Sequence, residues 1–208
     1  HNRTHSFPTR RSSDLVEKTA GPCPALPDRL PALVDGWFFE RLGAATTPVW
    51  IWGAGHVGRA IAAVLAPLPG LAVTLVDTAP ERFPDPLPEG VTRRIAPDMP
   101  AAVADAPASA HHYVLTYSHD FDFALCDALL AHGFGAAGLI GSATKRARFR
   151  SRLVQKGHAP AAIDRIRCPI GTPALGKQPA AIAVGVAHAL LMELAKKEAD
   201  GPVAEQGG

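Results

Sequence analysis

Gly53, Gly55 and Gly58 form a G-x-G-x-x-G turn inside the run Trp50-Ile51-Trp52-Gly53-Ala54-Gly55-His56-Val57-Gly58. In such a turn the first glycine permits the tight bend and the second lets backbone approach an anionic group. The third lets the following helix pack on the preceding strand. Amides that open the helix then face a phosphate. His56 stands inside this turn, where hydride transfer has no special use for an imidazole; it either donates to a ligand oxygen or caps its own helix start. Asp77 lies 24 residues beyond Gly53, where a dinucleotide-binding domain places the carboxylate for a ribose hydroxyl pair. Its alternative is an ordinary solvated strand-end carboxylate.

Two further groups carry donors and cations. Thr116-Tyr117-Ser118-His119-Asp120 offers His119 as acid, base or anion donor, since imidazole titrates near neutrality. Asp122 suits the capping of the next helix. Gly141-Ser142-Ala143-Thr144-Lys145-Arg146 combines a glycine, hydroxyls and two cations, the composition of an anion-binding corner. Ser142, Lys145 and Arg146 are its candidate ligands, with Arg148, Arg150 and Arg152 on the solvated face beyond. No G-x-x-x-x-G-K-[ST] phosphate loop occurs, and no histidine, cysteine or carboxylate spacing matches a zinc site. Cys168-Pro169-Ile170-Gly171 is a rigid turn bearing a thiol, either a small buried hydrophobe or a group near the ligand. His111 and His112, at the entry end of a strand, read as surface residues.

These residues need elements that bring them to one place. Apolar runs predict strands at 48–52, 71–76, 91–95, 112–116 and 136–140, with an entering strand at 37–42. Helical spacing predicts helices at 56–66, 121–131, 143–155 and 180–196, with short helical pieces near 100–105 and 161–166. Pro67, Pro69 and Gly70 stop the first helix, and Pro179 suits the first turn of the last one. Strands and helices in alternation predict an α/β, Rossmann-like fold: an open, mostly parallel sheet with helices on both faces. Right-handed crossovers place the loops 53–56, 77–80, 116–121 and 141–145 on one rim, where open α/β sheets bind ligands.

Composition excludes several classes. The first fifteen residues resemble the translation of a sequencing adapter and are expected to lie outside the natural protein. They hold three arginines against Asp14, which is the whole formal charge of +2, so the basic balance gives no reason to expect nucleic acid. Residues 16–36 read as a linker or the remnant of a preceding domain, 37–196 as the Rossmann-like domain, and 197–208 as a tail. Three cysteines are too few and too irregularly spaced for a disulfide scaffold. With no run of about 18 consecutive apolar residues and no signal peptide, a cytoplasmic protein without a membrane span is expected.

The glycine turn, the run Gly138-Leu139-Ile140-Gly141-Ser142-Ala143-Thr144-Lys145-Arg146-Ala147-Arg148-Phe149, the turn Cys168-Pro169-Ile170-Gly171, and Lys177-Gln178-Pro179-Ala180-Ala181-Ile182-Ala183-Val184 together resemble the C-terminal domain of the xanthine dehydrogenase accessory protein (XdhC-type) family. The resemblance implies a cytoplasmic, dimeric maturation factor without turnover of its own. Such a factor binds molybdenum cofactor, protects it while a cysteine desulfurase supplies sulfur, and delivers it to xanthine dehydrogenase. On that reading the amides of 53–58 with Lys145 and Arg146 anchor the phosphate, and His56, His119 and Cys168 lie toward the metal end. Two departures stand out: no preceding cysteine motif is matched, and Tyr117 replaces a histidine of close relatives. NAD(P) with an oxidoreductase activity is the competing expectation from Gly53–Gly58 and Asp77, and a partner-docking module without ligand is a third.

Overall fold

The computed structural model describes residues 24, 25, 27, 32–34, 36–39 and 46–199. The chain divides into two compact units, one within His1–Ala45 and the other Thr46–Gly208. In the first, β1 (Ala32–Val34) and β2 (Trp37–Phe39) form an antiparallel pair around Gly36. The strand expected over 37–42 is therefore present at Trp37–Phe39, as half of a hairpin; residues 40–42, like 1–15, lie outside the described residues.

The second unit contains β3 (Thr47–Trp52), α1 (His56–Leu65), β4 (Leu71–Asp77), β5 (Val91–Ile95), β6 (His111–Val114), α2 (His119–His132), β7 (Ala136–Leu139), α3 (Ala143–Gln155), α4 (Pro160–Asp164), β8 (Ile166–Arg167) and α5 (Pro179–Ala199). Short 3₁₀ turns occupy Pro80–Arg82, Ala101–Asp105 and Pro173–Leu175. The strands form one sheet in the order β5-β4-β3-β6-β7-β8, and every neighbouring pair is parallel. Sequence order runs outward from β3 in one direction, then resumes at β6 on its other side. Their junction is the topological switch point, where a doubly wound sheet opens a crevice at its strand ends.

The strand sequence explains why both faces are covered. Val49, Trp50, Ile51 and Trp52 are all buried, the continuous apolar run expected of a central parallel strand. Side chains alternate across a strand, so Val49 and Ile51 join Ile61 and Leu65 of α1 and Ala183, Val186 and Leu190 of α5 on one face. Trp50 and Trp52 join Leu125 and Leu129 of α2 and Phe149 and Leu153 of α3 on the other. Residues Pro179–Lys197 of α5 are long and apolar enough to cross a membrane by composition, but their inward stripe of Ala183, Val186, Ala187 and Leu190 is buried in this core. α5 also runs to Ala199, into the segment expected to be a tail.

Candidate functional site

The glycine turn sits at the C-terminal end of β3, at the switch point. Gly53 has φ +115°, and a Cβ there would stand 2.5 Å from the carbonyl oxygen of Leu115 at the end of β6. A Cβ on Gly58 would stand 1.9 Å from the carbonyl oxygen of Gly53. Both glycines are therefore required by internal packing. Gly55 differs: it is exposed, and nothing lies within 4 Å of its absent Cβ. As N-cap of α1 it supplies no side-chain acceptor to the first helical amides, so this open side is where backbone donors can meet an outside anion. His56, the first helical residue, is exposed beside it.

Asp77 supports this turn from within. It is 1% exposed. Its Oδ2 accepts the Ala54 amide at 2.7 Å, and its Oδ1 accepts the Thr78 amide at 2.7 Å and the Thr78 hydroxyl at 3.2 Å. Arg82 Nε lies 2.6 Å from Oδ1 as an ion pair. The carboxylate expected to face a ribose is thus buried and engaged at both oxygens by protein partners, and its visible work is to fix the turn. Arg59 of α1 completes the brace, donating from Nε to the Ala54 carbonyl and from Nη2 to the Arg82 carbonyl, each at 2.7 Å.

Arg82 then reaches across the rim. Its guanidinium carbon lies 3.9 Å from the ring centroid of Tyr117, which is 59% exposed and meets Phe121 edge-on at 5.7 Å. Because β4 and β6 flank β3, this cation–π contact joins the loops on either side of the glycine turn.

The 116–122 and 140–145 loops form the adjoining hollow, of about 320 Å³, lined by Thr116, Tyr117, His119, Ser142 and Lys145 among others. Asp122, 1% exposed, holds its base. Its Oδ1 accepts the Thr116 amide at 2.9 Å and hydroxyl at 2.8 Å, and its Oδ2 accepts Lys145 Nζ at 2.5 Å. Lys145 Nζ donates also to the Ile140 carbonyl at 2.9 Å, and its side chain is only 11% exposed. The ammonium expected to meet an outside anion is instead committed to a buried ion pair that ties β6 to β7. A Cβ on Gly141 would stand 2.7 Å from Lys145 Cδ, so this glycine lets the lysine fold back. α2 is capped by Ser118 rather than by the expected Asp122: the Ser118 hydroxyl accepts from the Asp120 and Phe121 amides at 3.2 and 3.5 Å.

Of the remaining candidates, His119 is exposed at the start of α2 and lines the hollow. Ser142 caps α3 by accepting the Lys145 amide at 3.2 Å. Arg146 is exposed, 3.9 Å from Asp164. Cys168 lies behind this corner, with Sγ 3.9 Å from the Ser142 carbonyl, and faces a separate apolar cavity shared with Cys126 and Arg146. Burial pushes the Cys168 thiol up and that of Cys126 up to about 12, so both are neutral thiols rather than nucleophiles. Among the described residues no group of three or more His, Cys, Asp or Glu side chains is placed to hold a metal ion.

Arg59 and Arg82 gain roles that no motif announced, and Thr116 and Asp122, read from sequence only as part of a polar run and as a helix cap, form the base of the hollow. Asp122 and Lys145 are 23 positions apart and come together only because β6 and β7 are neighbours. His111 and His112 are 3% and 1% exposed, not surface residues, because β6 is covered on both faces.

The sequence profile of the XdhC Rossmann domain matches residues 49–189. The chain belongs to the XdhC family. A solved xanthine dehydrogenase from Bacillus halodurans is similar in structure, with a TM-score of 0.64 at 16% identity, over 76% of this chain and 48% of that one. The XdhC-family chain thus spans about half the length of that protein, and at this identity the likeness speaks to fold alone. A short-chain dehydrogenase/reductase from Veillonella parvula, solved with NADP, aligns at 16% identity over 57% of this chain and 59% of its own, with a TM-score of 0.38, too low to bear on the fold. No curated protein matches in sequence.

Proposed function

We propose that this XdhC domain is a molybdenum-cofactor chaperone, binding the cofactor during sulfuration by a cysteine desulfurase and supporting its insertion into xanthine dehydrogenase. The observation that carries the reading is the open side of Gly55 at the switch point of a domain that the XdhC profile matches from 49 to 189. A phosphate-bearing cargo fits it: the backbone amides at Gly55–Val57 supply donors, and no side chain fills the approach. The cofactor brings its own dithiolene ligation and its oxygen-atom chemistry, so a chaperone needs no protein metal cage.

On this reading the chain holds rather than transforms its cargo. The amides anchor phosphate, Asp77 and Arg59 keep the turn in shape, and His56 and His119 present donors from two adjacent helix starts. The Asp122–Lys145 pair positions the 116–122 loop, leaving Arg146 as an exposed cation of the rim and Arg82, half-buried between Asp77 and Tyr117, as a second positive charge beside it. Cytoplasmic residence and a homodimer belong to the same proposal.

Anaerobic titration of the purified chain with molybdenum cofactor and, separately, with NAD tests it. Cofactor binding that Gly55→Val abolishes, at unchanged thermal stability, is the expected result. Tight NAD binding with none for the cofactor would overturn the proposal in favour of a nucleotide site. Restoring activity to cofactor-deficient xanthine dehydrogenase is the stricter assay, since binding alone does not establish delivery.

A further inference from the structure

The other end of the sheet holds a second pocket that the chaperone reading does not use. Its position follows from the sequence of β6 and β7. On the face covered by α5, the central strands β3 and β4 carry Val49, Ile51, Val73 and Leu75. The corresponding face of β6 carries His111 and Tyr113, and β7 carries Ala136 and Gly138. Small residues on β7 leave the sheet unfilled beneath α5. A Cβ on Gly138 would stand 2.6 Å from Ile170 Cγ2 and 3.3 Å from Tyr113 Cδ1, so the glycine lets those side chains close the sides. The result is a pocket of about 80 Å³ at the entry ends of the strands, away from the glycine turn.

Its polar groups are arranged as recognition rather than as structure. His111 is 3% exposed, lines the pocket, and makes no hydrogen bond to any described residue. Tyr113 offers a hydroxyl that is likewise without a hydrogen-bond partner among them. Glu193 stands near the mouth, its carboxylate held 3.2 Å from Arg167 and 3.1 Å from Lys197. The nearby charges are therefore already paired, whereas the imidazole of His111 and the half-buried phenol of Tyr113 are not. Among the described residues the buried side-chain nitrogen and oxygen atoms without a partner are Arg82 Nε and His112 Nε2, so the polar atoms of His111 and Tyr113 stay open to the pocket and free to meet a ligand. The remaining walls, including Ile170, Val186, Ala189 and Leu190, are apolar.

We propose that this pocket is a second binding site, for a single small neutral heteroaromatic ring whose hydrogen-bonding edge meets His111 and Tyr113. At about 80 Å³ the pocket is roughly half of a benzene-binding cavity in a protein core, about 150 Å³, and is open at its mouth, so it takes no more than one small ring. The paired state of Glu193 and Arg167 disfavours a charged ligand, which would have to break that pair.

Pyrazole is the probe, neutral at pH 7 and carrying a donor beside an acceptor, with thiophene as a ring of similar size that lacks the donor. Ligand-observed NMR on the full chain is expected to show millimolar pyrazole binding. His111→Leu should weaken pyrazole by roughly tenfold, the loss of about one hydrogen bond, and leave thiophene unchanged or tighter. Ala189→Phe, at an exposed helix position, should plug the pocket and remove both without altering the thermal midpoint. No pyrazole binding to the wild-type chain, or equal binding to Ala189→Phe, would overturn the proposal. Equal pyrazole affinity in His111→Leu would also overturn it, by removing the recognition role. Neither result depends on whether the glycine turn binds molybdenum cofactor.

Discussion

Acid should weaken this fold through His112 before its carboxylates begin to protonate. The imidazole is 1% exposed beneath the indole of Trp52, with ring centroids 6.1 Å apart, and its Nδ1 accepts the Trp52 Nε1–H at 3.1 Å. Accepting at Nδ1 fixes the neutral tautomer with its proton on Nε2, and that nitrogen is buried without a partner. Burial, followed by the neighbouring His132 and His111, lowers the pKa from 6.5 to about 3. Between those two values the unfolded chain binds a proton that the native state refuses, so stability is full above the unfolded pKa and falls as pH drops toward the folded one. Linkage gives a loss of about 2 kcal/mol between pH 7 and pH 5, and up to about 5 kcal/mol if acidification continues below pH 3. His111, whose pKa is also lowered by burial, adds in the same direction. The assay is urea unfolding of wild type and His112→Phe at pH 7 and pH 5. Phenylalanine keeps the stacking ring but strands the Trp52 donor, so the variant should be less stable at pH 7. Its deficit should shrink by about 2 kcal/mol at pH 5, because it has no proton to exclude. A deficit that stays constant with pH would refute the argument, since His112 would then be titrating alike in both states.

The remaining expectations concern the turn, the ion pair and the thiols. Gly58→Ala should cost about 3 kcal/mol or more in chemical denaturation, because its Cβ would stand 1.9 Å from the Gly53 carbonyl oxygen, whereas Gly55→Ala meets nothing within 4 Å and should fold with stability close to wild type. Lys145→Met should cost about 3–5 kcal/mol by leaving the Asp122 carboxylate buried and unpaired; adding Asp122→Asn should recover much of that loss in a double-mutant cycle, since the amide oxygen still accepts from Thr116. In a Cys23→Ser background, Cys126 and Cys168 should resist a thiol reagent at pH 7 and react once urea unfolds the chain, because burial raises both thiols; rapid native reaction of Cys168 would show that its cavity opens.

The elements were legible because their signals are local. Val49 to Trp52 declares a strand buried on both faces, and Pro67, Pro69 and Gly70 halt α1 where spacing alone would let it continue. The two-residue β8 escaped notice because two residues carry no periodicity; it is a strand only through its pairing with Ala137 and Gly138. The same division runs through the site. Gly53, Gly55 and Gly58 could be read together because a turn is a property of adjacent residues, but their different tasks could not: one packs on Leu115, one packs within its own turn, and one faces outward. Lys145 and Asp77 show the stronger limit. Each has the residue type and position of a ligand-binding group, yet a charge at a strand end is equally suited to an opposite charge from a nearby loop. The distinction lies in the partner each finds: Lys145 pairs with Asp122 across neighbouring strands, and Asp77 takes Arg82 from the turn that follows its own strand, neither of which sequence spacing encodes. Burial decides it, because a desolvated charge is costly without a partner and a protein partner is always present, while a ligand is not. For this rim, the exposed backbone at Gly55 is consequently better evidence of an anion site than any of the charged side chains that drew attention first.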